Sequence, residues 1–284
     1  MNEEEKMSED NSLDVNENNL QEEIIHPATH NEVKMEVHKH PHNITHKKKW
    51  TEYLLEFLMI FFAVFLGFIA ENMREHISDD KMERKYIRSL LEDLKSDTNH
   101  LKEYIVQRNK KVILLDSLVN LLTSGQYLNH LNDVYYQARL ATRATKFYSN
   151  ERTMELLKNA GGQRFIRNAK TSDGIVAYKA EVEKLGWNEE IEVQNFNFFR
   201  EMAGEFFNTA VFQAMTDNDS ANVVRPVNNP PVLSSDKALI NRLAAKIYYV
   251  NASDKLLVNL AKRLHAEATA LIKTIQQEYD LENE

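Results

Sequence analysis

The chain has 284 residues, no cysteine, and 43 acidic against 35 basic side chains. Without cysteine there is no disulfide and no thiolate chemistry. Nine of the acids and only one lysine fall in residues 1–23, which leaves 34 of each sign in the remainder. No basic domain exists to neutralise phosphates, which argues against nucleic acid as a partner. Seven glycines and five prolines favour long helices over sheets.

Residues 1–49 read as a tail. Its first 23 residues are acidic, carry almost no aromatic side chains, and cannot bury enough apolar surface to fold alone. From His26 the character changes, and six of the ten histidines follow by His46. His38, His40 and His42 alternate in HKHPH. Imidazoles so close can share a Zn, Ni or Cu ion, report pH near 6.5, or simply be solvated. No signal-peptide pattern is visible, because the start is acidic and the first apolar run lies about fifty residues in.

Residues 50–71 are expected to form a membrane-spanning helix that serves as an uncleaved signal-anchor. Phe57–Ala70 is free of charge for fourteen residues, and Thr51–Glu56 extends the run to twenty, or roughly 30 Å of helix, the depth of a bilayer core. Trp50 and Tyr53 stand where amphipathic rings favour headgroups, with Lys47, Lys48 and Lys49 just outside. Five phenylalanines (Phe57, Phe61, Phe62, Phe65, Phe68) surround the helix and leave no polar face to wet. Glu56, Ile60, Ala63, Gly67 and Ala70 follow four-three spacing and share one face. Ala63 and Gly67 are a small-xxx-small pair, which lets two backbones approach closely. Self-pairing or pairing with a partner span is expected along this face; Glu56 alternatively reaches headgroups. Lys39, Lys47, Lys48 and Lys49 before the span balance Arg74, Lys81, Arg84 and Lys85 after it, and the three abutting lysines tip the expectation toward a cytoplasmic N-terminus.

Residues 72–284 read as a helical domain. No glycine or proline occurs between Gly67 and Gly125. Ile87, Leu91, Leu94, Leu101, Ile105, Val112, Leu115, Val119 and Leu122 form a bundle-type seam that only Thr98 and Arg108 interrupt. Ser78, Asp79 and Asp80 suggest a cap or bend. A helix is expected over 132–144, then a short one capped by Asn150 and ended by Gly161 and Gly162. That glycine turn, with Arg164 and Arg167, either stops the helix or holds an anion at the next helix start.

A long helix is expected from Thr171, Ser172 and Asp173 to Ala210, bent or split at Gly186. Residues 217–234 form a loop, because Pro226, Pro230 and Pro231 forbid a helix. Within it, Asp219, Ser220 and Ala221 resemble a short acceptor motif for periplasmic O-glycosylation. The last helix starts near Ser235 and carries a seam broken by Asp254, read as either a register-setting polar residue or a groove-edge position. The expected fold is all-α: a single transmembrane helix, then an elongated antiparallel helical bundle of three long helices and two or three short ones.

YLLEFLMIFFAVFLGFIAENMREH with YIRSLLEDLKSDT, and TMELLKNAGGQRFIRNAKTSDGIVAY further on, resemble a family of single-span membrane proteins of Bacteroidota. The resemblance covers roughly residues 50–215 and excludes the His-rich tail. It implies an inner-membrane location and a helical periplasmic domain, with no assigned activity. No HExxH, P-loop, GxSxG or dinucleotide fingerprint occurs, so no catalytic residue and no cofactor are expected. Glu92, Asp93, Glu181 and Glu183 read as solvated faces, and His100, His130 and His265 are scattered. The expected function is a membrane-anchored structural or interaction protein of the cell envelope, whose partners are membrane lipid and a second copy or an envelope protein. The alternative is a ligand-binding sensory module that signals through a separate protein.

Overall fold

The computed structural model describes residues 49–159, 165–217 and 222–281. His38, His40, His42, Gly161, Gly162, Arg164 and the Asp219–Ala221 motif lie outside these residues. The described regular structure is all-α, with no strand beyond an isolated bridge between Thr216 and Val223. In order it comprises α1 (Trp50–Ser124), a 3-10 turn (Gln126–Asn129), α2 (Leu131–Ala141), α3 (Arg152–Asn159), α4 (Ala169–Phe206), α5 (Thr209–Ala214) and α6 (Lys237–Glu278). The chain divides into two units, Met1–Ile60 and Phe61–Glu284. The described part of the first is Lys49 and the opening of α1, where Leu55, Phe57, Met59 and Ile60 are exposed. The buried cores belong to the second.

Several boundaries differ from expectation. No break or cap occurs at Ser78–Asp80, and α1 is one continuous helix. Serine and aspartate cost a helix interior only tenths of a kcal/mol each, and both aspartates face Arg167, at 3.4 Å from Asp79 and 2.6 Å from Asp80. Helix α4 likewise runs unbroken through Gly186, a penalty of roughly 1 kcal/mol outweighed by the burial of Leu185 and Phe196 on the same helix. It begins at Ala169, because Asn168 accepts the Thr171 N–H. It stops at Phe206, because Phe207 and Asn208 are extended and Asn208 caps α5. Asn150 does not cap α3; its N–H donates to Asp97 at 2.9 Å. Gly125, at φ +77°, ends α1 in a conformation that favours glycine.

Buried side chains fall into two cores. One joins Ile87, Leu91, Leu94 and Leu101 of α1 to Ile175, Tyr178 and Leu185 of α4 and to Leu257, Leu264, Leu271 and Ile275 of α6. The other joins Leu115, Leu118 and Leu122 of α1 to Phe196, Phe199 and Phe206 of α4, to Leu243 and Val250 of α6, and to Val134, Tyr135 and Ala138 of α2. The loop before α6 is tied down by polar contacts. Asn229 accepts the Leu131 N–H at 2.6 Å and donates to Leu128 O at 2.5 Å, and the Tyr135 hydroxyl donates to Pro231 O at 2.9 Å.

Helix α2 ends three residues before the expected Ala144, and the chain then runs on to α3 without regular structure. From Thr145 to Asn150 half-buried and exposed residues alternate, the period of extended backbone. No neighbouring strand is present among the described residues to satisfy this segment. Its polar groups pair with side chains or with water instead.

Candidate functional site

Between the two cores, every long helix replaces an apolar layer with charge. On α1 the layer is Arg108 and Lys111, on α4 Glu189 and Glu192, and on α6 Asp254. Four of these five are at least 95 % buried, and the Lys111 side chain is nearly so. The Arg108 guanidinium donates through Nη1 to Glu192 and, at 2.5 Å, to Asp254. Through Nη2 it donates to the Thr145 carbonyl. Lys111 Nζ lies 3.0 Å from Glu192 and 3.2 Å from Asp254, and donates to Arg143 O at 3.1 Å. Glu189 accepts the Tyr104 hydroxyl at 2.8 Å and the Phe147 N–H at 3.0 Å.

The same device extends along the rest of the extended segment and beyond it. Arg200 donates to Thr142 O, Asp97 accepts the Asn150 N–H, Asp93 accepts the Thr153 N–H, and Glu83 accepts the Arg167 N–H. Asp97 and Glu83 also accept the hydroxyls of Tyr178 and Tyr279, each at 2.6 Å. Backbone groups of Thr142, Arg143, Thr145, Phe147, Asn150, Thr153 and Arg167 are thus held by side chains of α1 and α4. Such charge-assisted bonds are roughly twice as strong as neutral ones.

Charge balance fixes how the cluster behaves. Two cations face three carboxylates, so one carboxylate is in excess. Burial pushes the Glu189 carboxyl up, against the bonds from Phe147 and Tyr104. Burial pushes Asp254 up to about 6, against Lys111 and Arg108. Burial alone would lower Arg108, but Glu192 and its neighbours overcome that and hold it firmly protonated. Burial also raises the Tyr104 hydroxyl, so it remains a donor. Among the described residues the Arg108 Nε has no acceptor. The other donors of the cluster point at its own carboxylates and at the Thr145 and Arg143 carbonyls. Its chemistry is cross-linking: three helices and a connecting segment meet at one guanidinium.

Part of this cluster is visible in the sequence. Arg108 and Asp254 stand out as breaks in their seams, but Asp254 is no groove-edge residue: it is fully buried. Asp93 is not on a solvated face either; it is 2 % exposed and also accepts the Thr153 hydroxyl. Glu189 and Glu192 escape notice at that level. Their signal is spacing, since Leu185, Glu189, Glu192 and Phe196 continue the four-three pattern without a break. Arg167, a member of the alternative anion site beside the helix stop, has its charge matched by Asp79 and Asp80. The span-face residues Glu56, Ile60, Ala63, Gly67 and Ala70 are all exposed on α1. Among the described residues no three His, Asp or Glu side chains converge as metal ligands. Comparison with family models, curated proteins and solved structures finds no match.

Proposed function

We propose that this chain is a membrane-anchored structural or interaction protein of the cell envelope, in line with its resemblance to single-span membrane proteins of Bacteroidota. One observation carries the reading. Helix α1 is long and apolar enough to cross a membrane, and the apolar stretch is left uncovered. Its exposed large side chains from Leu54 to Ile69 are 38–71 % accessible. So large an apolar surface is untenable in water. On this reading lipid covers it, the N-terminus is cytoplasmic, and the domain stands in the periplasm.

The domain is then an elongated antiparallel bundle. Support comes from the order of residues in the two cores: α1 and α4 contribute ascending numbers from one core to the other, and α6 descending ones. The connection from α2 to α4 completes the fourth position. The chain carries no cysteine, so a single Glu103→Cys supplies a unique label on an exposed face. The protein is expected to stay in the membrane pellet after alkaline carbonate extraction. The introduced thiol is expected to react with an impermeant maleimide in intact spheroplasts. Release into the supernatant removes the anchor, and labelling only after lysis reverses the orientation.

Self-association is proposed along Glu56, Ile60, Ala63, Gly67 and Ala70. A Cβ built on Gly67 meets nothing within 4 Å, so a larger side chain there disturbs no contact within the chain. Gly67→Leu is expected to cut a membrane two-hybrid self-association signal several-fold. An unchanged signal rules out pairing on this face.

A further inference from the structure

A cleft of about 580 Å³ opens where α2, α4 and α5 meet. That volume falls in the range of small-molecule sites. Its apolar lining includes Phe199, Phe207 and Phe212, the first two almost wholly buried. Gly204 leaves the wall open, since a Cβ there would meet nothing within 4 Å. Arg139 and Arg200 also line it.

The two arginines contrast with Arg108, Lys111 and Arg225, each of which faces a carboxylate. Among the described residues Arg200 donates only to neutral acceptors, Asn197 Oδ1 at 3.2 Å and Thr142 O at 3.0 Å. Arg139 is half-buried, and among the described residues it has no ion-pair or hydrogen-bond partner. Neither guanidinium has a carboxylate within 4 Å among those residues. A planar guanidinium is suited to bidentate recognition of a carboxylate. An aromatic floor is suited to hydrocarbon. The two chemistries sit in one cleft.

We propose that this cleft binds an aliphatic carboxylate, with the acid group at Arg139 and Arg200 and the chain along half-buried Phe212, which is backed by the buried rings of Phe199 and Phe207. Apolar burial supplies affinity, and the arginines discriminate the acid from a neutral molecule of the same length. The site needs neither a membrane partner nor self-association, so it stands apart from the scaffold reading.

The test uses the full chain in nanodiscs of zwitterionic lipid, probed with a diazirine-bearing dodecanoate and mapped by peptide mass spectrometry. Cross-links are expected within residues 199–212, above any labelling of the lipid-facing span. Dodecanoate is expected to compete at least tenfold better than dodecan-1-ol or acetate. Gly204→Leu, which fills open space, is expected to abolish this labelling without lowering the thermal midpoint. The pair Arg139→Gln and Arg200→Gln is expected to weaken competition by dodecanoate at least tenfold. Equal competition by the alcohol, labelling spread evenly over the exposed surface, or labelling unaffected by Gly204→Leu would each overturn the proposal.

Discussion

Arg108→Met is expected to destabilise the helical domain by about 3–5 kcal/mol, the usual consequence of removing one partner from a buried ion pair. The cause is less the lost attraction than what remains. Glu192 and Asp254 keep their burial, and the Thr145 carbonyl loses its donor. Urea unfolding of the full chain in detergent micelles measures the change through its midpoint. Arg108→Met combined with Glu192→Leu and Asp254→Leu is expected to recover at least half of the loss, because a dry apolar layer has no orphaned charge. A single-variant cost below about 1 kcal/mol would show that water reaches the cluster.

Acid is expected to strengthen this domain over a defined window. Burial pushes Asp254 up to about 6 in the folded protein, against about 3.9 for an unfolded aspartate. Between those values the folded chain holds a proton that the unfolded chain has released. Stability therefore rises as pH falls. The Asp254 contribution is about 1 kcal/mol from pH 7 to pH 5, and about 2 kcal/mol by pH 4. The groups facing it are Arg108 and Lys111 on α1 and Glu192 on α4. Raised Glu189 and Asp97 act in the same direction. Asp116, lowered by its bond from Lys255, and Glu278, lowered by Lys170, act in the opposite one, losing their contribution as pH falls toward their folded values. The comparison that isolates the effect is wild type against Asp254→Asn, which keeps an acceptor for Arg108 but cannot titrate. Parallel stability curves for the two from pH 7 to pH 4 would contradict it.

Helix content was legible in the sequence because four-three spacing persists wherever glycine and proline are rare. The seam through Ile87, Leu94, Leu101, Leu115 and Leu122 is buried as its spacing implies. Polar residues were harder to place. Ser78–Asp80 looked like a boundary, yet carboxylates there are matched by Arg167, more than eighty residues away. Asp93 looked solvated, yet its partner Thr153 is sixty positions on. Sequence spacing reports the neighbours on one helix; it does not report which distant backbone group needs an acceptor. The charged layer shows the same limit. Arg108 and Asp254 are visible as polar breaks in their seams, but only the assembled helices bring them level with Lys111, Glu189 and Glu192.

The connecting run from Thr142 to Thr153 has a consequence for how the sequence can vary. Its amides and carbonyls are addressed singly by Arg200, Lys111, Arg108, Glu189, Asp97 and Asp93. Side chains that point away, such as Lys146 and Tyr148, are free to be exchanged. Deleting one residue there would throw every later address out of step at once. The segment behaves as a measured tether, permissive in its letters and strict in its count.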